Sequence, residues 1–135
     1  MADYVQYHKP KDNKWGAAPE LRALEVFTRK PGKTTQGDRV WLVTSEANPR
    51  KYYLQLWFIV DSIERTENPG LQSKISGREG CAFGEQRPRI DIEDWFPDFL
   101  TQSGNFGLGF RSIDNPEAVR GLEKIAGIPT ASRSH

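Results

Sequence analysis

The sequence predicts an α+β fold, a small, strongly curved barrel of five or six strands with two or three short helices. Three observations predict it. Two adjacent aromatic segments, Arg39 to Ser45 and the run from Lys51 to about Arg65, read at the strand period of two. Turn chemistry at Pro31-Gly32, Gln36-Gly37-Asp38 and Asn48-Pro49-Arg50 breaks the chain at short intervals. Helical periodicity is concentrated near the C-terminus, and no regular strand-helix alternation indicates a doubly wound sheet.

Taken in order, Tyr4 to His8 alternates as a first strand. A polar loop from Lys9 to Gly16 follows, with Trp15 its one aromatic, and then a brief helix over Pro19 to Ala23. Leu24 to Thr28 alternates again. Arg39 to Ser45 is the next strand, and the turn at Asn48-Pro49-Arg50 pairs it as a hairpin with the run that starts at Lys51. That run is long for one strand and should bend or carry a bulge. From Asn68 to Arg89 the glycines at 70, 77, 80 and 84 interrupt every pattern, so only Leu71 to Ile75 reads as a short strand and the rest as loop.

Trp95, Phe96, Phe99 and Leu100 share one helical face, with Asp94 as N-cap, Pro97 in the first turn and Gly104 as the end. Gly107 to Ile113 reads as a final strand. Asn115-Pro116-Glu117 opens a last helix by the cap-then-proline pattern; Val119, Leu122, Ile125 and Ala126 make its buried stripe, and Gly127 with Pro129 stop it. Residues 1–128 are thus expected as one domain, with 129–135 a disordered tail.

Composition bounds the function. The chain has 135 residues, enough for a single core, with 19 Lys and Arg against 18 Asp and Glu. Any nucleic-acid contact must therefore rest on local asymmetry. The basic stretch is the front, where Lys9, Lys11, Lys14, Arg22, Arg29, Lys30 and Lys33 outnumber Asp12, Glu20 and Glu25; a solvated loop is the plain reading of such a cluster. Cys81 is the single cysteine, so no intrachain disulfide forms. Neither a secretory signal nor a membrane-length apolar run is present, and a cytoplasmic protein without membrane partners is expected.

In the run from Lys51, Tyr52, Leu54, Leu56, Phe58 and Val60 share one apolar face. Tyr53, Gln55, Trp57, Ile59 and Asp61 share a mixed aromatic and polar face. The first suits a core. The second suits either a second small core or a pocket for a planar ligand, where aromatics stack and polar groups read an edge. Pattern alone slightly favours the core.

Catalytic groups are few. The histidines are His8 and His135, too few for a histidine-rich metal site, and no cofactor is expected. Gly32-Lys33-Thr34 fails as a phosphate loop because Phe27 stands where its first glycine belongs. The glycines of Gly104 to Gly109 have the wrong spacing for a dinucleotide fingerprint. Carboxylates at Asp91, Glu93, Asp94 and Asp98 are explained by the positive end of a helix dipole.

The order of motifs carries more. Tyr4-Val5-Gln6-Tyr7-His8, Phe27-Thr28-Arg29-Lys30, Gly37-Asp38-Arg39-Val40-Trp41, Tyr52-Tyr53-Leu54, Trp57-Phe58-Ile59-Val60-Asp61, Trp95-Phe96 and Asn105-Phe106-Gly107-Leu108-Gly109-Phe110 follow one another. This series resembles the EVE-like N-terminal domains fused to HNH endonucleases in modification-dependent restriction systems, within the wider PUA superfamily. The resemblance spans Tyr4 to about Ile128. It implies a PUA-like barrel that extrudes a modified base, typically a 5-modified cytosine, from duplex DNA into an aromatic cage.

On that resemblance Trp41 and Trp57 are the stacking residues. Tyr7, Thr28, Ser45, Tyr53 and Asn105 line the base site, and His8, Arg29, Lys30 and Lys33 approach phosphates. The chain carries nothing like the nuclease half, so catalysis by this chain alone is not expected and a fused or separate nuclease is the implied partner. Two other readings stand beside this one: an RNA-binding PUA-like module, and a small ASCH-type enzyme on modified nucleosides with Lys14, Lys30 or Lys33 beside Asp61 or Glu46.

Overall fold

The computed structural model describes residues 1–8, 23–46, 50–66, 72–104 and 110–128. Strands β1 (Asp3–His8), β2 (Glu25–Thr28), β3 (Arg39–Glu46), β4 (Lys51–Glu64), β5 (Ser73–Ala82) and β6 (Arg111–Ser112) form one six-stranded sheet in the order β2-β5-β4-β3-β1-β6. β1 pairs parallel with β3, and the other pairs are antiparallel. Helices α1 (Phe96–Gln102) and α2 (Pro116–Ala126) complete an α+β fold.

The sheet curls into a half-barrel. Val26 of β2 packs in one cluster with Val40, Leu42, Leu56, Phe58, Val60, Ile75 and Phe110, and Tyr4 of β1 joins it although three strands separate β1 from β2 in the sheet. Tyr4 and Phe110 stack with ring centroids 5.0 Å apart. On the convex face Val5, Trp41, Val43 and Leu54 meet Phe96 and Phe99 of α1 and Ala118 and Leu122 of α2. The protein therefore has an inner core within the curl and an outer core under the helices.

One bulge divides the two. Leu42 pairs with Leu56 but Val43 pairs with Leu54, which leaves Gln55 as the extra residue of β4. An extra residue exchanges the faces of a strand. The continuous face read from Tyr52 to Val60 is thereby corrected: Leu54 points to the outer core, and Leu56, Phe58 and Val60 point to the inner one. The bulge expected in this long strand is present. Gln55 is fully buried, and its amide accepts from Thr44 Oγ1 and donates to the Gly84 carbonyl, both at 3.4 Å.

A second correction concerns β5, a ten-residue strand where the sequence reads mostly as loop. A Cβ on Gly77 would lie 2.2 Å from the Ile59 carbonyl oxygen, and one on Gly80 would lie 2.1 Å from that of Trp57. These glycines admit the neighbouring backbone rather than end the strand.

At α1 the cap position belongs to Trp95, with no side-chain bond, so Asp94 is not the N-cap, while Pro97 does sit in the first turn. The ends of α2 follow expectation: Asn115 Oδ1 accepts from the amides of Glu117 at 3.0 Å and Ala118 at 3.1 Å, and Gly127 closes the helix at φ 76°. Its buried residues are Ala118, Leu122 and Glu123, with Ile125 and Ala126 packed beside them and Val119 only half-buried. Of the described part of the strand expected over 107–113, Arg111 and Ser112 form β6. Residues 107–109, most of the helix expected over 19–23 and the tail 129–135 lie outside the described residues.

Candidate functional site

Among the described residues the half-barrel has an open seam. Among these residues β6 pairs with β1 at Tyr4 and Val5, and β2 pairs with β5 on one side. Across the seam from β2 stands the second half of β1. A cavity of about 340 Å³ opens there, lined by Gln6 and His8 of β1, Glu25, Val26 and Phe27 of β2, and Leu42 of β3 among others. Alternation along β1 explains the polar wall: Tyr4 packs into the inner core, and Gln6 and His8 follow it on the same face.

The lining is chemically uneven. Val26 and Leu42 give an apolar floor; Phe27, which alternation along β2 turns to the face opposite Val26, stands at the rim with 46% of its surface exposed. Gln6 Oε1 is buried and has no hydrogen-bond partner. Leaving such an acceptor unpaired costs about 1–3 kcal/mol. His8 is half-buried, and burial pushes its imidazole below the ordinary 6.5, so it is neutral at pH 7 and offers one donor and one acceptor. Size, apolar floor, one ring and a few polar groups are the properties of a site for a small planar ligand.

Most residues named from sequence lie elsewhere. Trp41 is fully buried in the outer core; its Nε1 donates to Asp3 Oδ1 at 2.9 Å, and Arg39 covers its ring at 4.9 Å. Trp41 presents no surface on which a base could stack. Trp57 is half-buried beside it, with ring centroids 6.0 Å apart and its Nε1 buried without a partner. Tyr7 and Ser45 also face the helix side, where their hydroxyls hydrogen-bond each other. The ring of Tyr53 carries the Arg87 guanidinium at 4.1 Å, and its hydroxyl donates to Glu46 Oε1 at 3.2 Å. Thr28 is buried, its Oγ1 accepting from the Lys30 amide at 3.1 Å. Asn105 lies outside the described residues.

The residues named for phosphates divide between two ends of the sheet. Arg29, Lys30 and Lys33 are exposed on the connection from β2 to β3, which enters β3 at Arg39. His8 pairs with Thr44, at the other end of β3. Of the named residues that are described, His8 alone lines the cavity. Gln6, Phe27 and Leu42 were missed as site residues; the available signal was that Gln6 sits at an inward position between Tyr4 and His8.

The Gly37-Asp38 motif has a structural task. Gly37 adopts φ 92°, which favours glycine, and Asp38 accepts from the amides of Ala2 at 3.0 Å and Thr35 at 2.9 Å. This fastens the start of the chain to the loop before β3.

Comparison of the chain with models of known families, with curated proteins and with solved structures finds no match. Among the described residues no group of three or more His, Cys, Asp and Glu side chains could hold a metal ion, and no helix is long and apolar enough to cross a membrane.

Proposed function

We propose that the chain is a non-catalytic binding module that takes a modified base of duplex DNA, a 5-modified cytosine, into the seam cavity, and that it serves a modification-dependent restriction system as its specificity domain. The nuclease of that system is a fused or separate partner. The observation that carries the reading is the buried, unpartnered Gln6 Oε1 beside an apolar floor and an exposed ring. Cytosine presents an N4 amine that can donate to such an acceptor. The 5-substituent is small and suits the surface of Val26 and Leu42, and Phe27 supplies a stacking face. Extrusion costs a few kcal/mol of lost stacking and pairing, and stacking on the ring plus edge hydrogen bonds offsets it.

The test is affinity for a duplex with one 5-methylcytosine against the same duplex unmodified. The wild type should prefer the modified duplex. Phe27→Ala should lose about 1–3 kcal/mol of that binding, the usual worth of one base-aromatic stack. Equal affinity of the wild type for both duplexes would overturn the reading.

A further inference from the structure

The hairpin end of the sheet gathers charge that the sequence scatters. Glu46 of β3 pairs across the hairpin with Lys51, which follows Arg50, and Tyr53 forms a bridge with Arg89 from the segment after β5. Two carboxylates here are each bound by an arginine of their own: Glu46 by Arg87 at 2.6 Å, Asp91 by Arg89 at 2.7 and 2.9 Å. Arg50 is exposed and hydrogen-bonds the Tyr52 side chain, and no described carboxylate forms an ion pair with Arg50 or Lys51. Arg87 and Arg89 are each neutralised by the carboxylate they hold, and Glu85 and Glu93 lie on the same segment, so the cations of this end left without an ion-paired carboxylate among the described residues are Arg50 and Lys51.

Its position matters as much as its charge. Arg87 Nη1 donates to Thr44 Oγ1 at 2.8 Å, and Thr44 is the register partner of His8, which lines the cavity. The exposed Arg29, Lys30 and Lys33 lie toward the opposite end of β3.

We propose that Arg50 and Lys51, backed by Arg87 and Arg89, form the surface on which the DNA backbone phosphates flanking the extruded base rest. The proposal rests on the reading of the cavity as a base site. An arginine without a carboxylate partner keeps its planar fork for phosphate oxygens, and phosphate contacts of this kind set position and orientation without reading sequence.

The experiment measures binding of fluorescent duplexes, one with a single 5-methylcytosine and one unmodified, over a series of salt concentrations. It compares the wild type, R50Q, R50Q/K51Q and R29Q/K30Q. R50Q/K51Q should weaken both duplexes by the same factor and make the slope of log affinity against log salt shallower by about two, with R50Q alone giving about half. R29Q/K30Q should change the slope less. The reverse ranking, or a wild-type slope in R50Q/K51Q, overturns the surface.

The two readings fail separately. Preference for the methylated duplex with an unchanged slope in R50Q/K51Q keeps the cavity and removes the surface. Equal binding of both duplexes with a flattened slope keeps the surface and removes the cavity. No binding of either duplex removes both.

Discussion

Arg39 and Glu123 stand 84 residues apart in the chain and meet at 2.6 Å, each with 3% of its side chain exposed. The same guanidinium holds Asp3 at 2.6 Å, and Asp3 in turn accepts from the Trp41 indole. This network fastens α2 to β3 and β1. It also explains why Trp41 belongs to the structure rather than to a ligand site, since its one polar atom is already bonded inside.

Removing one partner of a buried ion pair leaves the other charge uncompensated. Glu123→Ala should therefore cost about 3–5 kcal/mol of stability, read from denaturant midpoints. Glu123→Gln keeps an acceptor for Arg39 and should cost less.

Trp41→Ala should cost about 3–5 kcal/mol through lost burial and a cavity, while the protein that still folds keeps its affinity for modified duplex. Melting and binding on the same variant check this. A full loss of affinity with unchanged melting would return Trp41 to the site.

Gly121→Ala sets two effects against each other. Alanine is the better helix former by about 1 kcal/mol, but a Cβ at Gly121 would lie 2.1 Å from Trp95 Nε1. The clash should win, with a net loss of about 1–3 kcal/mol. Combined with Trp95→Leu, the cost of Gly121→Ala should shrink, which a double-mutant cycle measures.

His8 gives a pH dependence. Its folded-state pKa lies below the ordinary 6.5, so the unfolded chain binds the proton more readily. Stability from this group is complete above about pH 6.5 and falls as the pH drops from there toward the folded-state value. His8→Gln should flatten that part of the stability profile, measured by thermal melts from pH 7.5 down to about pH 5.

The strands that begin the fold were legible because alternation and turn residues act locally: β1, β2, β3 and β4 each start within a residue of where the sequence places them. Face assignment was not legible. The bulge at Gln55 is a property of how β4 registers against β3, and no pattern within β4 alone announces it. β5 was hidden for a related reason, since Gly77 and Gly80 look like breakers until the β4 backbone is laid against them. The cavity joins β1 to β2, strands at separate places in the sheet that only the curl brings together. A lone glutamine such as Gln6 reads as surface in a sequence, whereas tryptophans attract attention and pack the core equally well.

The most direct test of the base site is the side-chain amide of Gln6, followed by NMR as duplex is added. With a duplex carrying one 5-methylcytosine, the Gln6 amide protons and the methyl groups of Val26 and Leu42 should shift, and they should stay in place with the unmodified duplex at the same concentration. Binding of the methylated duplex that leaves these signals unmoved would contradict the account.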